Sequence, residues 1–108
     1  HISGIIATNT SSKRLNLLKN QELIEKKGPG GLSGQPIHSR AKEIVSYIFK
    51  KTSGNLPIIS VGGIMNAHHA IDMLNAGASL VQIYTGFVYN GPSIVKDINS
   101  KILELESE

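Results

Sequence analysis

Apolar positions along this chain alternate between two spacings. The run "GIIAT", residues 4 to 8, is short and rich in β-branched residues, and it predicts a buried strand. From Ser39 the pattern changes. Ala41, Ile44, Val45, Ile48 and Phe49 share one face of an amphipathic helix, with Ser39 as candidate N-cap and Gly54 as its stop. "LPIISV", residues 56 to 61, is apolar at nearly every position, as a strand buried on both faces would be. Ala67, Ala70, Ile71 and Leu74 mark a short helix between an Asn66 N-cap and Gly77. "LVQIY", residues 80 to 84, predicts the third strand. A last helix is expected from about Pro92, with Ile94, Val95, Ile98, Ile102 and Leu105 as its buried stripe.

Between the first strand and the first strong helix the periodicity fades. "RLNLLKNQELIEKKG" is weakly helical, with a mixed face. "GPGGLSGQP" carries four glycines and two prolines and must be a loop. The resulting order is strand, long loop, helix, strand, helix, strand, helix. Apolar strands alternating with helices imply α/β architecture and a parallel sheet. Three such units cannot close a barrel, and standing alone they would expose strand edges. The expectation is the C-terminal part of a (β/α)8 TIM barrel, about its last three βα units. Residues 1–108 would then be one incomplete domain, and the opening His before a strand reads as a cut through a longer protein.

Composition narrows the classes. The chain has 108 residues, 40% hydrophobic and 18% charged, which suits a globular fold. No apolar run approaches the roughly 18 residues of a membrane span. The formal charge of +3 comes from scattered Lys and Arg with few aromatics, which argues against a nucleic-acid surface. There are no cysteines, so disulfides, Cys-based zinc sites and Cys nucleophiles are excluded within these residues. His68 and His69 are sequence neighbours and point about 100° apart on a helix, so they are a poor metal pair and read as exposed positions. His38 reads as isolated, and no metal site is expected.

In a βα barrel the chemistry sits at the C-terminal ends of the strands. Here those ends read "ATNT", "VGGI" and "YTG". Gly62 and Gly63 lie between a strand and a helix, where glycine permits positive φ and close ligand approach and helix N–H groups favour an anion. Thr85 and Gly86 repeat that logic one strand later and add a hydroxyl. A tight turn would also need glycine; two such turns on neighbouring strands favour a phosphate site. Thr8, Asn9 and Thr10 suit a planar polar ring, although a capping or Asx-turn role fits them too. "GGLSG" supplies a glycine-rich approach and one hydroxyl, Ser33. Ser11 and Ser12 lack His or Asp at motif spacing, so no hydrolytic triad is expected.

The motifs "GIIATNT" with Arg14 shortly after, "GPGGLSGQPI", "LPIISVGGI" and "AGASLVQIYTGFVYNGP" together resemble the C-terminal third of the dihydroorotate dehydrogenase family. "SLVQIYTG" followed by "GP" resembles its quinone-linked, membrane-associated class 2; in the soluble class 1 a Gly more often stands where Tyr84 does. The resemblance implies an FMN-binding barrel that oxidises dihydroorotate to orotate in pyrimidine synthesis. It implies FMN contacts at Thr8, Ser33 and Gly34, and substrate hydrogen bonds at Asn9 and Thr10. It implies a ribityl-phosphate cradle at Val61, Gly62, Gly63, Tyr84, Thr85 and Gly86. The partners implied are a quinone acceptor and the remainder of the barrel. The catalytic base, a serine, and a flavin-side lysine are expected upstream, so no catalytic residue is assigned here. Departures are mild: "NTSSKR" after the first strand, Ser60 where Gly is common, and "MNAHH" opening the helix. The competing readings are another FMN-dependent barrel oxidoreductase, against which "TNT" and "GGLSG" argue, and a non-catalytic phosphate-binding half-barrel.

Overall fold

The computed structural model describes residues 1–14, 17 and 21–107. Three short strands, β1 (Ile5–Ala7), β2 (Ile58–Val61) and β3 (Leu80–Gln82), form one parallel sheet in the order β1-β2-β3. The register pairs Ile5 with Ile58, Ile6 with Ile59 and Ala7 with Ser60, then Ile59 with Leu80 and Val61 with Gln82. Because side chains alternate along a strand, this register sorts the sheet into two faces. Ile5, Ala7, Ile58, Ser60 and Val81 point one way; Ile6, Ile59, Val61, Leu80 and Gln82 point the other.

Among the described residues, helices cover only the first face. They are α2 (His38–Lys51), α3 (Ala67–Ala76) and α5 (Ser93–Glu106). Ala41 and Val45 from α2, Ala70 and Met73 from α3, and Ile94 and Ile98 from α5 close over Ile58 in one buried cluster. Val45, Ile58 and Met73 are fully buried, and burial of a side chain that size contributes about 1.5–3 kcal/mol. On the inner face Ile59 and Val61 are half-buried, while Ile6 and Leu80 are each 62% exposed. The expectation that β2 is buried on both faces therefore holds for the helix side alone.

The helix ends follow from local chemistry, with corrections. Ser39 does not cap α2 but lies within it. Pro36 sits in a 3-10 turn, Gln35–Ile37, that runs straight into the helix. The Ile37 N–H bonds Gly34 O and the His38 N–H bonds Gln35 O, so the helix start needs no side-chain cap. At the other end Ser53 takes the left-handed conformation (φ 53°), its N–H bonds Lys50 O, and the Gly54 N–H reaches back to Phe49 O. That is a Schellman ending with serine in the place glycine usually holds. Asn66 caps α3 as expected, accepting the His69 N–H, and Gly77 ends it at φ 123°. Phe49 lies directly on Gly77, which leaves no room there for a Cβ.

Two short helices depart from the sequence reading. Among its described residues the weakly periodic segment forms α1 (Gln21–Glu25); its residues 15, 16, 18, 19 and 20 lie outside the described residues. The stretch after β3 is not a plain turn; it forms α4 (Thr85–Asn90), ended by Gly91 at φ 73°, before α5 starts behind Pro92. In α5 Ile94 and Ile98 are buried and Ile102 is half-buried against the same core, whereas Val95 and Leu105 are exposed.

Candidate functional site

The segments that leave the C-terminal ends of the three strands converge, together with the glycine-rich loop, on one cleft of about 520 Å³. All eleven residues singled out in the sequence line it: Thr8, Asn9 and Thr10, Ser33 and Gly34, Val61, Gly62 and Gly63, and Tyr84, Thr85 and Gly86. The cleft floor is built on the inner face of the sheet, where Ile6 and Gln82 join them, and Ile37, Ile64, Met65 and Ile83 complete the walls. No charged side chain is among these lining residues.

Hydrogen bonds fix each segment. Thr8 doubles back on β2, its N–H and hydroxyl both donating to Val61 O, at 2.7 and 3.4 Å. Asn9 Oδ1 accepts the Thr10 N–H at 2.8 Å, so part of the local capping role foreseen for this amide is present. Ser11 and Leu32 exchange both backbone bonds, pulling the glycine-rich loop alongside "TNTS". Arg14 gathers that loop from the other side. Its guanidinium donates to Ile24 O at 3.2 Å, Gly28 O at 2.6 Å and Gly30 O at 2.9 Å. The Thr85 hydroxyl donates to Ser33 Oγ at 2.9 Å, joining the loop to the start of α4.

The glycines have a sharper explanation than ligand access. Gly63 has φ 73°, and a Cβ there would run into the His38 backbone. A Cβ at Gly86 would strike Ile64 O. These two positions are glycine because chain packs on chain. Gly34 (φ 82°) and Gly62 (φ 121°) hold less crowded positive-φ turns facing the cleft. Asn90 then ties the two glycine turns together, its Nδ2 donating to Met65 O at 2.9 Å and Gly86 O at 3.1 Å.

A cluster that the sequence pattern missed stands behind the "VGGIM" turn. His38 is not isolated: its Nε2 lies 3.2 Å from Asp72 Oδ2, and its ring stacks on His69 with centroids 4.1 Å apart. His69 is half-buried rather than exposed, and its Nδ1 accepts the Met65 N–H at 3.1 Å. His68 is exposed, with Nε2 3.8 Å from Asp72 Oδ1. Burial, then the neighbouring His38, holds the His69 imidazole below its ordinary pKa; Asp72 opposes this and His68 adds to it. Burial alone would push Asp72 up, but the hydrogen bond from His38, with Lys42 and His68, more than offsets it and holds the carboxyl below its usual range. Among the described residues no group of three or more His, Cys, Asp or Glu side chains could hold a metal ion. The cluster was invisible in sequence because His38 and His69 are 31 positions apart and meet only through the packing of α2 on α3. Gln82 did leave a signal, a lone polar residue inside an apolar strand.

Residues 1–105 match the family model described as dihydroorotate dehydrogenase. The chain is 50% identical over 103 residues to a dihydroorotate dehydrogenase (quinone) of Christiangramia forsetii, covering 95% of this chain and 29% of that protein. Against the protein of the same description in Synechocystis it is 50% identical over 103 residues, covering 91% and 27%. Among solved structures, a ligand-free DHODH from Eimeria tenella superposes with a TM-score of 0.84 at 35% identity, over 95% of this chain and 28% of that one. The ferulenol complex of the Eimeria tenella DHODH gives 0.85 at 35% identity, over 96% and 27%. The chain thus spans less than a third of the length of these relatives.

Proposed function

The chain belongs to the dihydroorotate dehydrogenase family, with the α/β fold of part of a TIM barrel, and on that premise we propose that residues 1–108 are the C-terminal segment of an FMN-binding barrel that oxidises dihydroorotate to orotate and passes the electrons to a quinone. The observation that carries this reading is the convergence of all eleven candidate residues on one cleft at the C-terminal ends of three parallel strands.

The cleft suits the phosphate of such a cofactor. Beside its apolar wall it offers hydroxyls, amides and backbone groups, and no carboxylate is among its described lining residues to repel an anion. Gly62 and Gly63 present a positive-φ turn, and the first N–H groups of α4 have no acceptor within their helix. On this reading Val61–Gly63 and Tyr84–Gly86 hold the phosphate, mostly through backbone N–H groups. Tyr84, a residue 77% exposed, contributes by its main chain. Thr8, Ser33 and Gly34 border the flavin. Asn9 and Thr10 orient the substrate ring by hydrogen bonding. Bound FMN would supply two-electron chemistry, accepting hydride from the substrate and releasing electrons to the quinone. Ser33 is not assigned as the base, since among the described residues no basic side chain lines the cleft to take up its proton.

A lipid-soluble acceptor places the intact enzyme at a membrane surface. Among the described residues no helix is long and apolar enough to cross one. The test is optical. The intact protein is expected to purify with flavin absorbance that bleaches anaerobically on adding dihydroorotate and returns on adding a soluble quinone. A colourless protein that takes up no FMN would overturn the reading.

A further inference from the structure

Helix α3 opens with a reciprocal cap. Asn66 Oδ1 accepts the His69 N–H at 2.8 Å, and His69 Nδ1 accepts the Met65 N–H at 3.1 Å. This is a capping box, shifted outward by one residue, with imidazole where glutamate or glutamine usually stands. The replacement matters. A carboxylate or amide oxygen accepts throughout the neutral range, whereas imidazole accepts at Nδ1 only while that nitrogen is unprotonated.

The residue so held is at a junction. Met65 ends the "VGGIM" turn and lines the cleft. Its carbonyl accepts from Asn90, which also bonds Gly86 O. A run of hydrogen bonds thus passes from His69 through Met65 and Asn90 to Gly86, joining both glycine turns.

The surroundings of the imidazole set its charge state. From α2, His38 stacks on it; from its own helix come His68 and Asp72, and Lys42 of α2 acts on Asp72. Burial and the neighbouring histidines disfavour a cation there, and so does its place in the first turn of a helix, at the positive end of the dipole.

We propose that His69 is a proton-sensitive positioning residue: neutral, it fixes the Gly62–Met65 turn, and protonated, it releases Met65 and slackens the cleft's hold on a phosphate-bearing ligand. That the ligand is FMN rests on the function proposed above; the latch on the turn does not. The sign follows from the lowered pKa. Above its ordinary value of 6.5 the imidazole is neutral in folded and unfolded chain alike, and the bond is complete. As pH falls through that value toward the lower folded one, the unfolded chain takes up protons first, so this contribution to stability is lost. Below the folded value the latch is open.

Two substitutions in the intact protein separate the roles. His69→Asn keeps an acceptor near the Nδ1 position and does not titrate; His69→Leu removes the acceptor. Amide hydrogen exchange at Met65 in flavin-free protein, corrected for intrinsic rates, reads the latch directly. Protection should fall on acidification in the wild type, persist in His69→Asn and be lost at all pH values in His69→Leu. The dissociation constant for FMN at pH 8 and pH 5.5 reads the consequence. The phosphate's own second ionisation near pH 6 weakens all three proteins together, so the comparison is between variants. The wild type should lose several-fold more affinity than His69→Asn, up to about tenfold per pH unit below the His69 pKa. PH-independent Met65 protection in the wild type, or equal protection in His69→Leu, would overturn the proposal. So would tighter binding by the wild type than by His69→Asn at low pH, which would make the imidazolium a cation acting on the ligand. Exchange as expected with no FMN uptake at any pH would uphold the latch and remove the flavin reading.

Discussion

Thr85 and Ser33, 52 positions apart in the chain, share a hydrogen bond in which the Thr85 hydroxyl donates to Ser33 Oγ at 2.9 Å. It is the one side-chain link among the described residues between the glycine-rich loop and α4. Thr85→Val keeps the shape and removes the donor. FMN affinity is expected to weaken about five- to tenfold, equivalent to about 1 kcal/mol, with little change in Tm. Flavin fluorescence titration measures it, and unchanged affinity would show that the loop does not depend on this link.

Gly63 and Gly91 share the same φ of 73° but not the same surroundings. A Cβ at Gly63 meets the His38 backbone, and one at Gly91 meets nothing within 4 Å. Gly91→Ala should therefore cost only the conformational penalty, about 1–2 kcal/mol. Gly63→Ala should cost clearly more, because backbone cannot step aside as a side chain can. Urea denaturation of the intact protein compares them; equal losses would remove packing as the reason for Gly63.

Ser60 sits fully buried on β2 beneath the helices, and its hydroxyl has no hydrogen-bond partner among the described residues. A buried, unpaired hydroxyl costs about 1–3 kcal/mol. Ser60→Ala is expected to raise the unfolding free energy by about 1 kcal/mol, read from the urea midpoint at constant m-value. A loss of stability would reveal that the hydroxyl is satisfied.

Ile6 and Leu80 flank the inner sheet face at 62% exposure each. The 108 residues expressed alone should accordingly bind a hydrophobic dye and melt without a sharp transition. A monomer with one cooperative unfolding step would contradict this.

Helices α2, α3 and α5 were legible because each buries a face at helical spacing, and the strands because each is a short apolar run between turn residues. Ile94, Ile98 and Ile102 stayed in the core, while Val95 turned outward because the stripe in contact with α3 and α4 is narrower than the apolar spacing suggests. The start of α2 was misplaced because Ser39 looks like a cap, whereas the preceding 3-10 turn supplies backbone acceptors that no cap motif displays. "TGFVYN" hid α4, since glycine and β-branched residues are poor helix formers and the helix is made by its packing on α5. The cleft was legible residue by residue because strand ends carry polar and small residues there for a reason. The support behind it was not, because His38, His69 and Asp72 meet across two helices and no local spacing records that meeting.

The Arg14 fork holds the glycine-rich loop by the carbonyl oxygens of Gly28 and Gly30 and ties it to α1 through Ile24 O, and carbonyls do not titrate. The Met65 turn in the wall of the cleft, by contrast, is fastened through an imidazole. These two fasteners therefore fail under different insults. Mild acid would loosen the Met65 turn and leave the Arg14 bonds intact, while concentrated guanidinium salts, competing for the same carbonyls, would loosen the glycine-rich loop first.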